Sequence, residues 1–117
     1  MTPDELRGRT KSFALRIVKL YRALPKTPDA QVLGKQLLRC GTSVAANYRA
    51  SCRARSRAEF AARIGIVVEE ADESGFWLEM LADGEIVREE LLKDLLQESK
   101  ELTAIFTATR QSVRGRK

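Results

Sequence analysis

No histidine occurs anywhere in the 117 residues. That removes the side chain most often used as a general base near neutral pH, and the commonest metal ligand. Cysteine occurs twice, as Cys40 and Cys52. On one helix these positions are about 18 Å apart, and a disulfide spans at most roughly 7 Å between Cα atoms. The two thiols therefore cannot pair within the chain, and neither has an obvious activating partner. Cys40 reads as a small core residue and Cys52 as one nearer the edge of an apolar face. No run of 18 apolar residues exists, so no membrane-spanning helix is expected. The opening MTPDEL is acidic and leads into no hydrophobic region, so no signal peptide is expected and a cytoplasmic location follows by default. Glycine-rich phosphate loops are missing; Gly34 and Gly41 stand alone and read as sites of close helix packing. No alternating run and no Asn-Gly hairpin signal marks a strand. Glu69, Glu70 and Glu73 lack the Glu-x-x-His pairs of di-iron bundles, so they read as a solvated or subunit-pairing face and no metal is expected. The expectation is a protein without catalytic residues or cofactor, and not an enzyme.

What the chain does have is helix. Charged residues make up 32% and aromatics 6%, a balance typical of long amphipathic helices. Thr2-Pro3-Asp4-Glu5 combines a Thr cap, Pro at the first position and Glu for a capping box. A first helix is expected from there to about Leu24, burying Phe13, Ile17, Leu20 and Leu24, with Pro25 ending it. Thr27-Pro28-Asp29 repeats the start signal, and this second helix is expected to stop near Arg53 to Arg55. Ser56 and Glu59 form another capping box and open a third helix, with Phe60, Ile64, Val67, Val68, Ala71, Ser74, Gly75 and Leu78 inward. Asp83-Gly84 should stop it, with Gly84 in the left-handed position past the helix end. A fourth helix from Ile86–Arg88 should bury Leu91, Leu92, Leu95, Leu102, Ile105 and Phe106, then fray in a basic tail over 110–117. Short joints make neighbours antiparallel, which gives an all-α, up-down-up-down four-helix bundle as a single domain over 1–117.

The charge is unevenly spread. The net is +5, yet residues 64–101 carry 12 acidic and 3 basic groups, while residues 35–63 carry 7 basic and 1 acidic. Winding the second helix at about 100° per residue puts Leu33, Leu37, Cys40, Val44, Tyr48 and Ser51 on one side. Lys35, Arg39, Arg49 and Arg53 fall within roughly 80° of each other on the opposite side. Arg49 and Arg53 have no acidic residue four positions away, so local pairing does not explain them. Arg55 has Glu59 at that spacing, and Arg57 and the tail extend the basic segment. Arginine suits bidentate phosphate contact. No aromatic lies on the ridge to stack bases, so contacts to nucleic acid would be to phosphates, with poor sequence preference.

The third helix carries a second message. Ile66, Phe76, Trp77 and Met80 lie off its core stripe, with Glu70 and Glu73 between Ile66 and Trp77. An apolar patch outside a bundle core marks an interface. Asn47, on the border of the second helix's apolar face, is expected to hydrogen-bond a neighbouring helix or subunit.

Four pieces taken together resemble a known family: LYRALPK (Leu20–Lys26), QLLRCGTSVAANYRASCRA (Gln36–Ala54), SRAEF (Ser56–Phe60) and EADESGFWLEML (Glu70–Leu81). In this order they are similar to the bacterial four-helix bundle proteins first noticed as products of intervening sequences in large-subunit ribosomal RNA genes. The resemblance spans residues 12–82. It implies a homopentameric ring of short bundles. A related branch, the accessory variability proteins, serves reverse transcriptases of diversity-generating retroelements and binds nucleic acid through basic surfaces. Ala50 departs from the pattern, because a Glu commonly follows the Asn by three residues.

Two functional readings follow. In one, the chain is a homo-oligomer that binds nucleic acid, chiefly structured RNA, through Lys35, Arg39, Arg49, Arg53, Arg55 and Arg57. In the other, it is an oligomeric scaffold for protein partners, a reverse transcriptase among them, whose arginines pair with acidic partner or subunit surfaces. The alternative to both is an ordinary solvated face, which the lack of local acidic partners for Arg49 and Arg53 leaves in third place. No membrane partner is expected.

Overall fold

Thr2 opens the first helix as a reciprocal cap. Its hydroxyl accepts from the Glu5 backbone N–H at 3.1 Å, and the Glu5 carboxylate accepts from the Thr2 N–H at 3.1 Å. The computed structural model describes residues 1–115. It contains four helices: α1 (Pro3–Ala23), α2 (Pro28–Ser51), α3 (Arg57–Asp83) and α4 (Glu89–Arg114). No strand occurs among the described residues. Each helix packs along the next in sequence, and α4 returns to touch α1 over a short stretch. The result is a four-helix bundle forming a rod of 49 × 21 × 19 Å.

The apolar stripes face inward as the periodicity requires. Phe13 and Ile17 of α1, Leu37 and Val44 of α2, Ile64 and Leu78 of α3, and Leu102 and Phe106 of α4 are all fully buried. Each such side chain contributes roughly 1.5–3 kcal/mol of burial free energy. Tyr48 of α2 and Phe106 of α4 meet across the core with ring centroids 5.1 Å apart. Buried hydroxyls are satisfied within their own helices: Thr10 donates to the Leu6 carbonyl, Ser51 to Tyr48 and Ser74 to Glu70. Gly34 and Gly41 let α1 and α2 close together, since a Cβ at Gly34 would stand 2.5 Å from Leu24 Cδ1 and one at Gly41 would collide with Ile17 Cδ1.

Five expectations need correction. Helix α2 ends at Ser51, short of Arg53, because the following bonds tighten to three-residue turns, from the Arg53 N–H to the Ala50 carbonyl and from the Ala54 N–H to the Ser51 carbonyl. Ser56 caps α3, but the Glu59 carboxylate accepts from the Arg55 N–H at 2.7 Å, so that box is not reciprocal. Past α3 the left-handed residue is Glu85 (φ 59°), and Gly84 has φ −78°. The Glu85 N–H bonds to the Ala82 carbonyl and the Ile86 N–H to the Leu81 carbonyl, the two bonds of a Schellman stop set one residue later than expected. Leu91 is 70% exposed, because it lies about 100° around α4 from Leu92, beyond the inward stripe. Within the described residues the expected fraying from Arg110 does not occur: α4 continues to Arg114, and the Arg110 guanidinium lies over Gly65. Of the basic tail, Arg116 and Lys117 lie outside the described residues.

Candidate functional site

The basic ridge divides into two halves with different surroundings. Lys35, Arg39 and Arg49 project from α2, Arg53 and Arg55 lie in the α2–α3 connection, and Arg57 begins α3; all six are exposed.

The Arg39 half faces α3. Its guanidinium contacts Glu70 Oε2 at 3.5 Å and Glu73 Oε1 at 3.2 Å. It also lies 3.4 Å from the Cys40 thiol, and Trp77 Nε1 donates to the same Glu73 oxygen at 3.4 Å. Arg39 therefore has carboxylate partners within its own chain. Donor atoms of Cys40, Glu70 and Glu73 lie within 4.8 Å of one another. Burial, followed by the hydrogen bond with Glu73, pushes the Cys40 thiol up to about 12. A cation there would have to displace Arg39 and deprotonate that thiol, so the donors fit a salt-bridge cluster better than a metal site.

The Arg49 half faces α1. The antiparallel register brings Arg7 and Lys11 beside residues 45–53. Arg7, Arg49, Cys52 and Arg53 line a depression of about 310 Å³. Arg7, Lys11, Ala45, Ala46 and Arg49 line a second of about 210 Å³. Among the described residues no carboxylate lines either one, and Asp4 pairs with Arg7 from one turn back on α1. Four cations, from α1, α2 and the α2–α3 connection, thus converge on one groove, where their fields add in a concave surface.

Sequence reading missed Arg7 and Lys11. A signal existed: a short joint at Pro25 sets α1 and α2 antiparallel, so a residue near 7 must face one near 49. Arg55 and Arg57 lie apart from the lining of both depressions; the Arg55 backbone N–H is held by Glu59.

The expected interface residues are placed as follows. Ile66, Phe76 and Met80 are 39%, 49% and 37% exposed on α3. Trp77 is half-buried, with its ring edge-on to Phe76 at 4.9 Å. Glu70 and Glu73 serve Arg39 inside the chain. Asn47 does not reach a neighbouring helix: its Nδ2 donates to the Ser43 carbonyl and hydroxyl at 3.0 and 2.8 Å on its own helix. Cys52 is exposed and Cys40 buried. No helix of the described residues is long and apolar enough to cross a membrane.

Comparison with known proteins fits this architecture. The family model of the 23S rRNA-intervening sequence protein matches residues 5–108. A crystal structure of a protein of unknown function from the S23 ribosomal protein family of Bacteroides thetaiotaomicron is 33% identical, with a TM-score of 0.87. The match covers 95% of this chain and 99% of that one. Among curated proteins, none is similar to this chain.

Proposed function

The chain belongs to the 23S rRNA-intervening sequence protein family, and we propose that it is a non-enzymatic homo-oligomer, a pentamer, that binds nucleic acid, chiefly structured RNA, through its basic surface. The observation that carries the reading is the groove in which Arg49 and Arg53 join Arg7 and Lys11 with no carboxylate in the lining. Arg7 is paired with Asp4, which leaves Lys11, Arg49 and Arg53 as the exposed cations of this concavity to attract a polyanion. Lys35, Arg55 and Arg57 widen the positive field, while Arg39 contributes less because Glu70 and Glu73 already face it. The absence of aromatic side chains from the groove supports phosphate contact without base stacking, so the protein reads shape and charge rather than sequence.

Self-association rests on the α3 surface. Ile66, Phe76 and Met80 expose apolar area on an otherwise acidic helix, and burying it between copies removes that area from water. Copies joined in one assembly add weak phosphate contacts by multivalency.

Fluorescence anisotropy of a labelled RNA hairpin, at low and physiological salt, tests the binding. The expected result is micromolar or tighter affinity that falls steeply with salt and collapses in Arg49→Glu/Arg53→Glu. No binding at low salt overturns the reading. A scaffold reading has support from Arg39, which shows an arginine of this chain pairing with the acidic α3 face. It predicts that Arg49→Glu/Arg53→Glu breaks the oligomer in light scattering and that RNA has no effect.

A further inference from the structure

We infer that one strand of a phosphodiester backbone runs along the cleft between α1 and α2, seating two successive phosphates in the two adjoining depressions. This rests on the nucleic-acid reading above and specifies where the strand lies and which helix completes its site. The two depressions share Arg7 and Arg49. An isolated anion would occupy one of them; a chain of linked anions occupies both without leaving the shared cations.

Chemistry differs between the seats. Around the first stand three guanidiniums, from Arg7, Arg49 and Arg53, with the Cys52 thiol beside them. Guanidinium forks match phosphate oxygens in pairs, so this seat is built for a phosphate held from several directions. In the second, Lys11 replaces Arg53, and Ala45 and Ala46 supply a small apolar floor. A floor of methyl groups admits the sugar that links one phosphate to the next and gives no hydrogen bond to a base edge. Arg7 is already held by the Asp4 carboxylate. A phosphate entering the first seat competes with Asp4 for that guanidinium.

Helix α1 is therefore half of the site. The strand follows the cleft between α2 and α1 instead of lying along the α2 ridge, and the Arg39 end of the ridge lies outside its path.

The exposed thiol makes the location measurable. Cys52 borders the first seat and Cys40 is buried, so alkylation by N-ethylmaleimide, read by mass spectrometry, reports on one residue in the native protein. The experiment follows Cys52 alkylation in the full chain alone, with an RNA hairpin, and with inorganic phosphate at equal phosphate concentration. Binding is followed in parallel for wild type, Lys11→Gln and Asp4→Asn. The expected outcome is that RNA slows Cys52 alkylation severalfold and phosphate does not. Lys11→Gln should lower the slope of log affinity against log salt by about 0.7 per engaged copy, and Asp4→Asn should tighten binding. RNA that binds while leaving Cys52 fully reactive and the Lys11→Gln slope unchanged overturns the inference and leaves nucleic-acid binding standing. Equal protection by phosphate alone overturns the strand and reduces the seats to isolated anion sites. Failure of RNA to bind at all removes the parent reading, and the inference with it.

Discussion

Replacing Arg9 with Gln should destabilise the bundle by about 2 kcal/mol and also weaken RNA binding, although Arg9 lines neither depression. Arg9 Nε meets Glu98 Oε2 at 2.7 Å, and Nη2 meets Glu98 Oε1 at 2.8 Å and Glu101 Oε1 at 2.7 Å. The Arg9 and Glu98 side chains are 24% and 16% exposed. An exposed pair contributes roughly 0.2–1 kcal/mol, and breaking a fully buried one costs about 3–5 kcal/mol. A two-pronged pair of intermediate burial falls between them. The seam it closes is short, so few other contacts share the task. For a domain of this size 2 kcal/mol lowers Tm by about 8 °C, and the urea midpoint by about 1.3 M at unchanged slope. Arg7 and Lys11 lie about 160° around α1 from Arg9. Holding Arg9 against α4 therefore fixes the roll that aims them at α2. Urea unfolding of wild type, Arg9→Gln, Glu98→Gln and the double variant measures the coupling. Equal midpoints in wild type and Arg9→Gln would refute the clamp, and unaltered RNA affinity in a destabilised Arg9→Gln would refute the roll argument.

Gly8 and Gly41 should respond oppositely to alanine. A Cβ at Gly8 meets nothing within 4 Å, so Gly8→Ala should stabilise by about 0.5–1 kcal/mol in thermal unfolding. At Gly41 the methyl collides with the fully buried Ile17, and overpacking should outweigh the propensity gain by about 1 kcal/mol. Glu85 occupies a left-handed position suited to glycine, so Glu85→Gly should raise the urea midpoint, by about 0.5–1 kcal/mol in stability. Stability should also fall on acidification. Hydrogen bonds from Gln97 and Arg9 hold the Glu101 carboxyl low, those from Thr2 hold Glu5 low, and those from Thr27 and Ala30 hold Asp29 low. Each folded-state value is depressed, so the stabilisation is present above the ordinary carboxylate range and is lost as pH falls through the depressed values. Urea midpoints should be flat from pH 6 to 8 and decline below about pH 4.5; a midpoint that rises on acidification contradicts those hydrogen bonds.

Local signals carried most of the fold. Thr2 with Glu5, Pro25, and the inward stripes of α1 to α4 are set by neighbours within a turn or two, which sequence displays directly. The early end of α2 was hidden because Arg53 and Arg55 are good helix formers. The turn after Ser51 is made by backbone bonds from Arg53 to Ala50 and from Ala54 to Ser51, which residue type does not announce. Likewise Asp83-Gly84 announced a stop, but Gly84 keeps a negative φ and the left-handed residue is Glu85, one position later. The site was legible only by halves. Arg49 and Arg53 declared themselves by lacking local acidic partners. Arg39 looked identical, yet Glu70 and Glu73 reach it from 31 and 34 residues away. Arg7 and Lys11 enter the groove only once α1 lies against α2. Asn47 was expected to bond a neighbouring helix or subunit because a polar residue at a core border is ambiguous; within the chain its Nδ2 donates to Ser43 of its own helix.

The most direct test of phosphate binding in the α1–α2 groove is the salt dependence of RNA affinity in wild type and in Arg49→Gln/Arg53→Gln. Four groove cations on a single strand give a slope of log affinity against log salt of about −2.8 per engaged copy, and two give about −1.4. The ratio of these slopes is independent of how many copies engage the RNA. A slope halved by the double substitution, with the protein still folded and assembled, is the predicted result. Identical slopes would place the phosphate contacts elsewhere on the molecule and contradict the account.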